Sequence, residues 1–364
     1  MTGHPSIQEL LEDSDDPSVR SHLASCGACR ARQMMLDGTG LEPTLPELDA
    51  ARRALADARR AASLSVGRSW GSDPLAGPVG VHFLEVGQRI DRYEVRERVG
   101  VGAMGAVYRV EHTTLGSSHA LKVVHLASEE ARQRLIREGR AQGRLQHANV
   151  VPVTDVVDVA GEPGLVMAFV DGPSLSAWLA AHGPPPIEVV GRLGEQIVRA
   201  VAAAHAAGIV HRDLKPRNVL IADTDEGPSA RVCDFGLARS VDDAEGPRGP
   251  VGTPGYMAPE QIRDAARADA RSDLFAVGAV LYELATGRKA FDGPDVAEVW
   301  RRIDSGTYVP VEVHRPELPA AMVDTIRRAL QVDPAHRFAD AASLLASWRA
   351  GTATVAPRAA SAVR

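Results

Sequence analysis

One segment, HRDLKPRN at positions 211–218, constrains this chain more than any other feature of its sequence. It places a carboxylate at Asp213, an ammonium at Lys215 and an amide at Asn218, at offsets that chance rarely produces. A second carboxylate follows at Asp234, within CDFG, after residues that predict a short hairpin. An APE sequence at 258–260 closes the region. The fold must therefore bring these charged groups together in one site.

The pattern of the surrounding chain predicts the fold class. Short β-rich runs begin near Arg92, and turn residues separate YEVRERV, AVYRVEH and HALKVVHL. A helix is predicted in SEEARQRLIREGRAQGRL, and the chain after Pro186 is predicted to be almost wholly helical apart from strands around VLIA and RVCDF. Strands first and helices afterwards predict an α+β chain with a small antiparallel sheet lobe and a larger helical lobe.

Two features of the predicted sheet lobe indicate a phosphate site. Three glycines, at positions 100, 102 and 105, lie between two predicted strands, where they can simply mark a tight turn or form a hairpin that covers phosphates. Glycine lets backbone N–H groups approach anionic oxygens that a side chain would hold away. Lys122 lies in an apolar run, and a buried ammonium needs an anionic partner. Glu138, on the following helix, and a nucleotide phosphate would supply it, although a helical glutamate is usually solvated.

In this order the motifs resemble the eukaryotic-type protein kinase family, in its bacterial serine/threonine branch, from about Tyr93 to Trp348. The resemblance implies a two-lobed kinase fold, ATP and Mg²⁺ as cofactors, and protein substrates with Ser or Thr acceptors. Phosphoryl transfer consists chiefly of positioning and charge neutralisation, and the residue types present suit that chemistry. Lys215 and Thr253 are similar to the residues that mark serine/threonine kinases.

The resemblance implies a role for each motif residue. Asp213 is the catalytic base and Lys215 lies near the γ-phosphate, while Asn218 and Asp234 hold magnesium. Lys122 binds the α- and β-phosphates and pairs with Glu138. The implied ATP-binding residues are Val99, Gly100, Gly102, Gly105, Val107, Ala120, Lys122, Met167, Ala168 and Val170.

Other matches imply structural roles. Met167 takes the gatekeeper position, and Ala168 departs from the acidic residue that is frequent next to it. Asp273 resembles a buried aspartate that braces the catalytic loop. Glu260 and Arg337 resemble an ion pair of the lower lobe. Cys233 is interpreted as a small apolar filler rather than a redox switch.

The segment between Ser240 and Thr253 has no hydroxyl residue, although relatives often carry phosphorylatable threonines there. It has Asp242, Asp243 and Glu245 instead. One hypothesis is that a carboxylate pairs with Arg212 and replaces a phosphate. The alternative is a solvated acidic loop.

A separate motif near the amino terminus has metal-ligand spacing. His22, Cys26 and Cys29 can direct an imidazole and two thiolates to one zinc ion, and His4 is the candidate for the fourth ligand. The region resembles the zinc-binding anti-sigma module, which implies a sigma factor or another regulator as partner. The alternative is two ordinary thiols and a surface histidine. We favour structural zinc because so short a segment buries too little apolar surface to fold without a stabilising metal ion or cross-link.

These observations predict a helical zinc module at 1–38, a linker with a possible exposed helix at 39–88, a kinase domain at 89–349 and a disordered tail at 350–364.

Composition excludes several classes of function. The formal net charge is −6 and the basic residues are scattered, so neither a nucleic-acid partner nor a membrane partner is expected. Three cysteines, no recognisable secretory signal and no apolar run of membrane-spanning length predict a soluble, cytoplasmic protein.

The alternative to an enzyme is a kinase-like scaffold that acts as a zinc-dependent anti-sigma-type regulator. Pseudokinases typically lack an equivalent of Lys122, Asp213 or Asp234, and this chain retains all three.

Overall fold

The computed structural model describes residues 83–102, 105–124, 128–235, 254–264 and 267–353. The predictions for the zinc module, for the acidic residues 242–245 and for Thr253 fall outside these ranges.

An antiparallel sheet forms the first lobe, as the sequence predicts. Its strands follow the order β1-β2-β3-β4-β6-β5, and each neighbouring pair is antiparallel. Two strands that sequence patterning missed, β5 and β6, extend one side of the sheet. The strands are β1 (Arg89–Ile90), β2 (Tyr93–Gly102), β3 (Gly105–His112), β4 (Ser118–Val124), β5 (Val153–Val159) and β6 (Glu162–Ala168).

One helix, α1 (Glu129–Gln142), packs against β5 and β6. Ser128 caps its first turn, since the Ser128 hydroxyl accepts a hydrogen bond from the Ala131 N–H at 3.2 Å. The predicted helix is therefore confirmed, with its start at the expected capping residue.

The residues that immediately precede the sheet form hydrogen bonds with it, although the sequence analysis assigns them to the linker 39–88. The Leu84 N–H donates to the Tyr108 hydroxyl at 3.1 Å, and the Gly87 N–H donates to the Val95 carbonyl at 2.8 Å. The end of the predicted linker 39–88 is thus attached to the kinase lobe.

Helices dominate the second lobe. The central helix of this lobe, Ala270–Thr286, is buried at every residue from Ser272 to Thr286. The last helix, Ala341–Thr352, packs against the helices Ile187–Ala206 and Ala320–Ala329. A hairpin of β7 (Val219–Thr224) and β8 (Gly227–Val232) forms a small second sheet. The helices are α2 (Leu175–His182), α3 (Ile187–Ala206), α4 (Pro259–Arg263), α5 (Ala270–Thr286), α6 (Val296–Ser305), α7 (Val311–His314), α8 (Ala320–Ala329) and α9 (Ala341–Thr352).

The last helix extends past the predicted start of the tail at residue 350. Leu344 and Trp348 on α9 are fully buried, and the Trp348 indole N–H donates to the Gly191 carbonyl of α3 at 2.9 Å. These anchors keep the chain helical to Thr352. In the part of the chain that the structure describes, no helix has the length and apolarity needed to cross a membrane.

Candidate active site

The glycine motif lies on a β-hairpin, as its setting between predicted strands indicates. Gly100 is opposite Val107, and Gly102 is opposite Gly105. The φ of Gly105 is +146°, and a Cβ at this residue would lie 1.9 Å from the Val123 carbonyl oxygen. Only glycine fits at such a position, so Gly105 lets β3 approach β4 closely.

Lys122 lies on β4, between Val107 of β3 and Leu165 of β6. Its Nζ is 2.9 Å from Oδ1 of Asp234, and the two side chains are 16% and 14% exposed. Burial would lower the pKa of Lys122, but the charge of Asp234 and its hydrogen bond outweigh burial and raise that pKa. Lys122 is therefore held as a cation beside the nucleotide site.

The sequence analysis expects Lys122 to pair with Glu138, whereas the structure pairs it with Asp234. The carboxylates of Asp234 and Asp213 both raise the pKa of Lys122. Glu138 instead lines a surface cavity of about 280 Å³ beside Arg134 on the same helix. The physical reason is the β7–β8 hairpin, which brings Asp234 within reach of the ammonium.

Asp273 braces the catalytic loop, as the resemblance implies. Its carboxylate accepts hydrogen bonds from the His211 N–H at 2.7 Å and the Arg212 N–H at 2.8 Å, and it lies 2.8 Å from His205 Nε2. Arg212 has a φ of +66°, a conformation that a non-glycine residue keeps only where its surroundings enforce it. The Gln261 side chain adds a hydrogen bond to the Arg212 carbonyl at 2.9 Å.

Asp213 and Lys215 form the centre of this loop. Lys215 Nζ donates to Asp213 Oδ2 at 2.7 Å, and the Asp213 side chain is 24% exposed. The Asn218 side-chain NH₂ donates to the Asp213 carbonyl at 2.8 Å. A carboxylate that is both held and accessible suits a base for an incoming hydroxyl.

Asn218 and Asp234 meet because they flank the same hairpin. Val219, which begins β7, is opposite Val232, which ends β8, and the Cys233 N–H donates to the Asn218 carbonyl at 2.9 Å. Since the Asn218 amide nitrogen is engaged, its side-chain oxygen is the atom left to act as a ligand. Carboxylate and amide oxygens are the ligands that magnesium prefers, so these two residues fit that ion.

An apolar cluster lines the site where both lobes contribute. Val107, Ala120, Met167 and Val170 belong to it, with Val99 packed against its edge. The cluster also contains residues that the sequence analysis did not single out: Val151, Val153, Phe169, Leu220 and Ala222. The signal was present for Leu220, because its predicted strand directly follows the catalytic loop.

Two further residues lie beside the predicted nucleotide site. Cys233 is 2% exposed within the apolar cluster, and burial raises the pKa of its thiol well above the usual value, so it acts as an apolar filler. The Ala168 N–H donates to the Pro152 carbonyl at 3.1 Å, so a contact to adenine at this residue falls to its carbonyl.

An ion pair joins Glu260, in the segment that follows residues 236–253, to Arg337 near the end of the helical lobe. Arg337, 2% exposed, donates to both carboxylate oxygens of Glu260, at 2.7 and 2.9 Å. Burial would raise the pKa of Glu260, but the hydrogen bonds and charge of Arg337 lower it overall. The predicted Glu260–Arg337 pair is present.

Residues 93–348 match the protein kinase domain family. This chain belongs to that family. Serine/threonine-protein kinase Pkn1 of Myxococcus xanthus is 36% identical to this kinase over 335 residues, which cover 90% of this chain and 45% of the relative. Serine/threonine-protein kinase PknE of Mycobacterium tuberculosis is 36% identical over 275 residues, which cover 74% of this chain and 47% of the relative. This chain spans about half the length of the curated relatives it matches.

Solved structures support the fold of this kinase. Rad53 residues 1–466, in complex with AMP-PNP, matches with a TM-score of 0.61 at 30% identity, over 71% of this chain and 65% of that one. The kinase domain of Mycobacterium tuberculosis PknI matches with a TM-score of 0.59 at 26% identity, over 74% of this chain and all of that one. The two-lobed fold is therefore confirmed.

Proposed function

We propose that this protein transfers the γ-phosphate of ATP to serine or threonine hydroxyls of protein substrates. The observation that carries the proposal is the Asp213–Lys215 contact at 2.7 Å, beside the hairpin end that holds Asn218 and Asp234. Family membership makes ATP and Mg²⁺ the expected cofactors, and the residues suit both.

Asp213 would accept the proton of the substrate hydroxyl as that hydroxyl attacks. Its contact with Lys215 holds the carboxylate in place, and the Lys215 ammonium would stabilise charge on the transferred group. Magnesium, held by Asn218 and Asp234, would neutralise phosphate charge when bound. The apolar cluster around Ala120 and Leu220 would take the adenine, since adenine offers a flat apolar surface.

Catalysis requires a rearrangement of the Lys122–Asp234 contact. In the described conformation each residue neutralises the other, whereas phosphoryl transfer needs Asp234 on magnesium and Lys122 on phosphate and Glu138. We infer that nucleotide binding exchanges these partners. The described conformation is then a resting form of the site.

Radiolabelled phosphate transfer from ATP tests the proposal. Wild type should label a protein substrate, and Asp213→Asn and Lys122→Met should each lose most of that activity because they remove the base and the phosphate contact. Equal labelling by all three proteins would end the claim of kinase activity.

We further propose that the amino-terminal segment binds structural zinc through His22, Cys26, Cys29 and His4 and recruits a sigma factor or another regulator. The support is the ligand spacing in the sequence. Metal analysis of the full chain should find one zinc per molecule in wild type and less in Cys26→Ser. An equal metal content in both proteins would refute the assignment.

That one of Asp242, Asp243 and Glu245 replaces an activation-loop phosphate on Arg212 stays a hypothesis, beside the alternative of a solvated acidic loop. An essential phosphate at Ser240 or Thr253, found by mass spectrometry of active enzyme, would refute this idea.

We also propose a cytoplasmic location, where ATP and magnesium are supplied and thiols such as Cys233 stay reduced.

A further inference from the structure

Gln142, the last residue of α1, is a buried polar side chain that the roles assigned above do not explain. It is 6% exposed, and its side-chain NH₂ donates to the main-chain oxygen of Phe235. A buried amide without a partner costs free energy, so a polar residue at this position needs such a contact. An apolar side chain would fill the same space without it.

Phe235 directly follows Asp234 and is held from a second direction. It is 1% exposed, and its ring centroid lies 4.6 Å from that of His211 in the catalytic loop. His211 Nε2 also contacts the Cys233 carbonyl at 3.0 Å. The backbone on both sides of Asp234 is thus attached, by His211 before it and by Gln142 after it.

The backbone between these attachments is in an unfavourable conformation. Asp234 has a φ of +64°, in the left-handed region that non-glycine residues rarely adopt. Such a conformation persists where the surrounding contacts over-determine it. The hydrogen bond to Phe235 fixes the Phe235 carbonyl and so restricts the backbone that follows Asp234.

We propose that Gln142 is a positioning residue for Asp234: its hydrogen bond to Phe235 holds the backbone beside Asp234 in place, so that the carboxylate can pass from Lys122 to magnesium when nucleotide binds. The inference rests on the proposed role of Asp234 as a magnesium ligand. It also links two parts of the site, because Gln142 and Glu138 lie four residues apart and therefore on the same face of α1. A shift of this helix moves the residue expected to receive Lys122 together with the residue that holds Phe235.

Magnesium titrations of ADP binding test the inference. Gln142→Met keeps the volume and removes the donor, so it should bind ADP without magnesium as wild type does. It should need about three- to tenfold more Mg²⁺ for half-maximal magnesium-dependent binding, which corresponds to one lost hydrogen bond. Gln133→Met is the matched control, since Gln133 is exposed on the same helix and its side chain donates to Glu129. An unchanged magnesium requirement in Gln142→Met would overturn the inference.

Asp234→Asn separates this inference from the proposed function. If Asp234→Asn keeps the wild-type magnesium requirement, the role of Asp234 is wrong. If Asp234→Asn loses magnesium-dependent binding and Gln142→Met does not, the role of Gln142 alone is wrong.

A measurement on wild-type protein covers the case in which Gln142→Met fails to fold. Coupling between two sites is reciprocal, so if the hydrogen bond favours magnesium binding, magnesium binding must strengthen the hydrogen bond. Hydrogen exchange of the Gln142 side-chain NH₂, followed by NMR, should slow when Mg²⁺ and ADP are added together. Exchange at the same rate with and without Mg²⁺-ADP would contradict the proposal.

Discussion

Lys122 has one carboxylate partner in the described structure and a different one expected during the reaction. Its contact with Asp234 at 2.9 Å satisfies the buried ammonium, while Glu138 remains on the half-buried face of α1. Because a buried cation must be paired, the exchange of partners has to be concerted with arrival of the phosphates.

The effect of Glu138→Gln follows from this exchange. The substitution should lower kcat/KM for ATP by about 10- to 100-fold, the value of one charge-assisted hydrogen bond. Steady-state kinetics at varied ATP concentration is the measurement. Glu130→Gln, exposed in the first turn of α1, is the control, and an equal loss in both variants would contradict the assigned role.

At the scale of elements, hairpins and helix ends place the catalytic groups. The β7–β8 hairpin joins Asn218 to Asp234, and the buried helix α5 presents Asp273 to the loop that carries Asp213. The anchor of the lower lobe lies further away, where α9 packs on α3 through Trp348. These contacts join residues that are distant in the sequence, so local propensity does not encode them.

Trp348 tests how strongly α9 is attached. Trp348→Ala should lower the free energy of unfolding by about 3–5 kcal/mol, because it leaves a large cavity in the core. The neighbouring Arg349→Ala removes only an exposed ion pair with Glu195 and should cost about 1 kcal/mol or less. Urea unfolding measures both. Equal stability losses would show that the α3–α9 interface does not support the lobe.

At the scale of the whole molecule, the Glu260–Arg337 ion pair connects the chain just after residues 236–253 to the end of the helical lobe. Arg337 also donates to the carbonyls of Gln331, Arg271 and Val332. One buried guanidinium therefore holds three chain segments together. Removing this guanidinium should therefore lower the stability of the whole helical lobe.

The pH dependence of stability should report this pair. The folded pKa of Glu260 lies below its usual value of 4.5, so its contribution is complete above that value and is lost as pH falls through the folded pKa. The difference in unfolding free energy between wild type and Glu260→Gln should therefore be constant near pH 7 and shrink below about pH 4.5. Urea unfolding at several pH values measures it, and a difference independent of pH would contradict the assignment.

Arg337→Leu should lower the free energy of unfolding by more than Glu260→Gln does, about 3–5 kcal/mol, since it leaves Glu260 buried without its partner.

The sequence by itself determined the two-lobed architecture and most members of the candidate site. Strand and helix periodicity are local properties, and the spacing of Asp213, Lys215, Asn218 and Asp234 follows from a loop and a hairpin that are short in sequence. The apolar residues Val107, Ala120 and Met167 are implied by the family resemblance, and they pack in one cluster.

Only the tertiary structure decided which of these groups touch. The choice of Asp234 over Glu138 as partner of Lys122 depends on how α1 sits relative to the sheet, and the contact of Gln142 with Phe235 joins residues 93 positions apart. Strand β6 was missed because it is buried on both faces and lacks the alternation that marks a half-exposed strand. The spacing within HRDLKPRN determines which charged and polar groups the site can use. Long-range packing determines the partners of these groups, because ion pairs and hydrogen bonds form between the surfaces that the folded chain brings together.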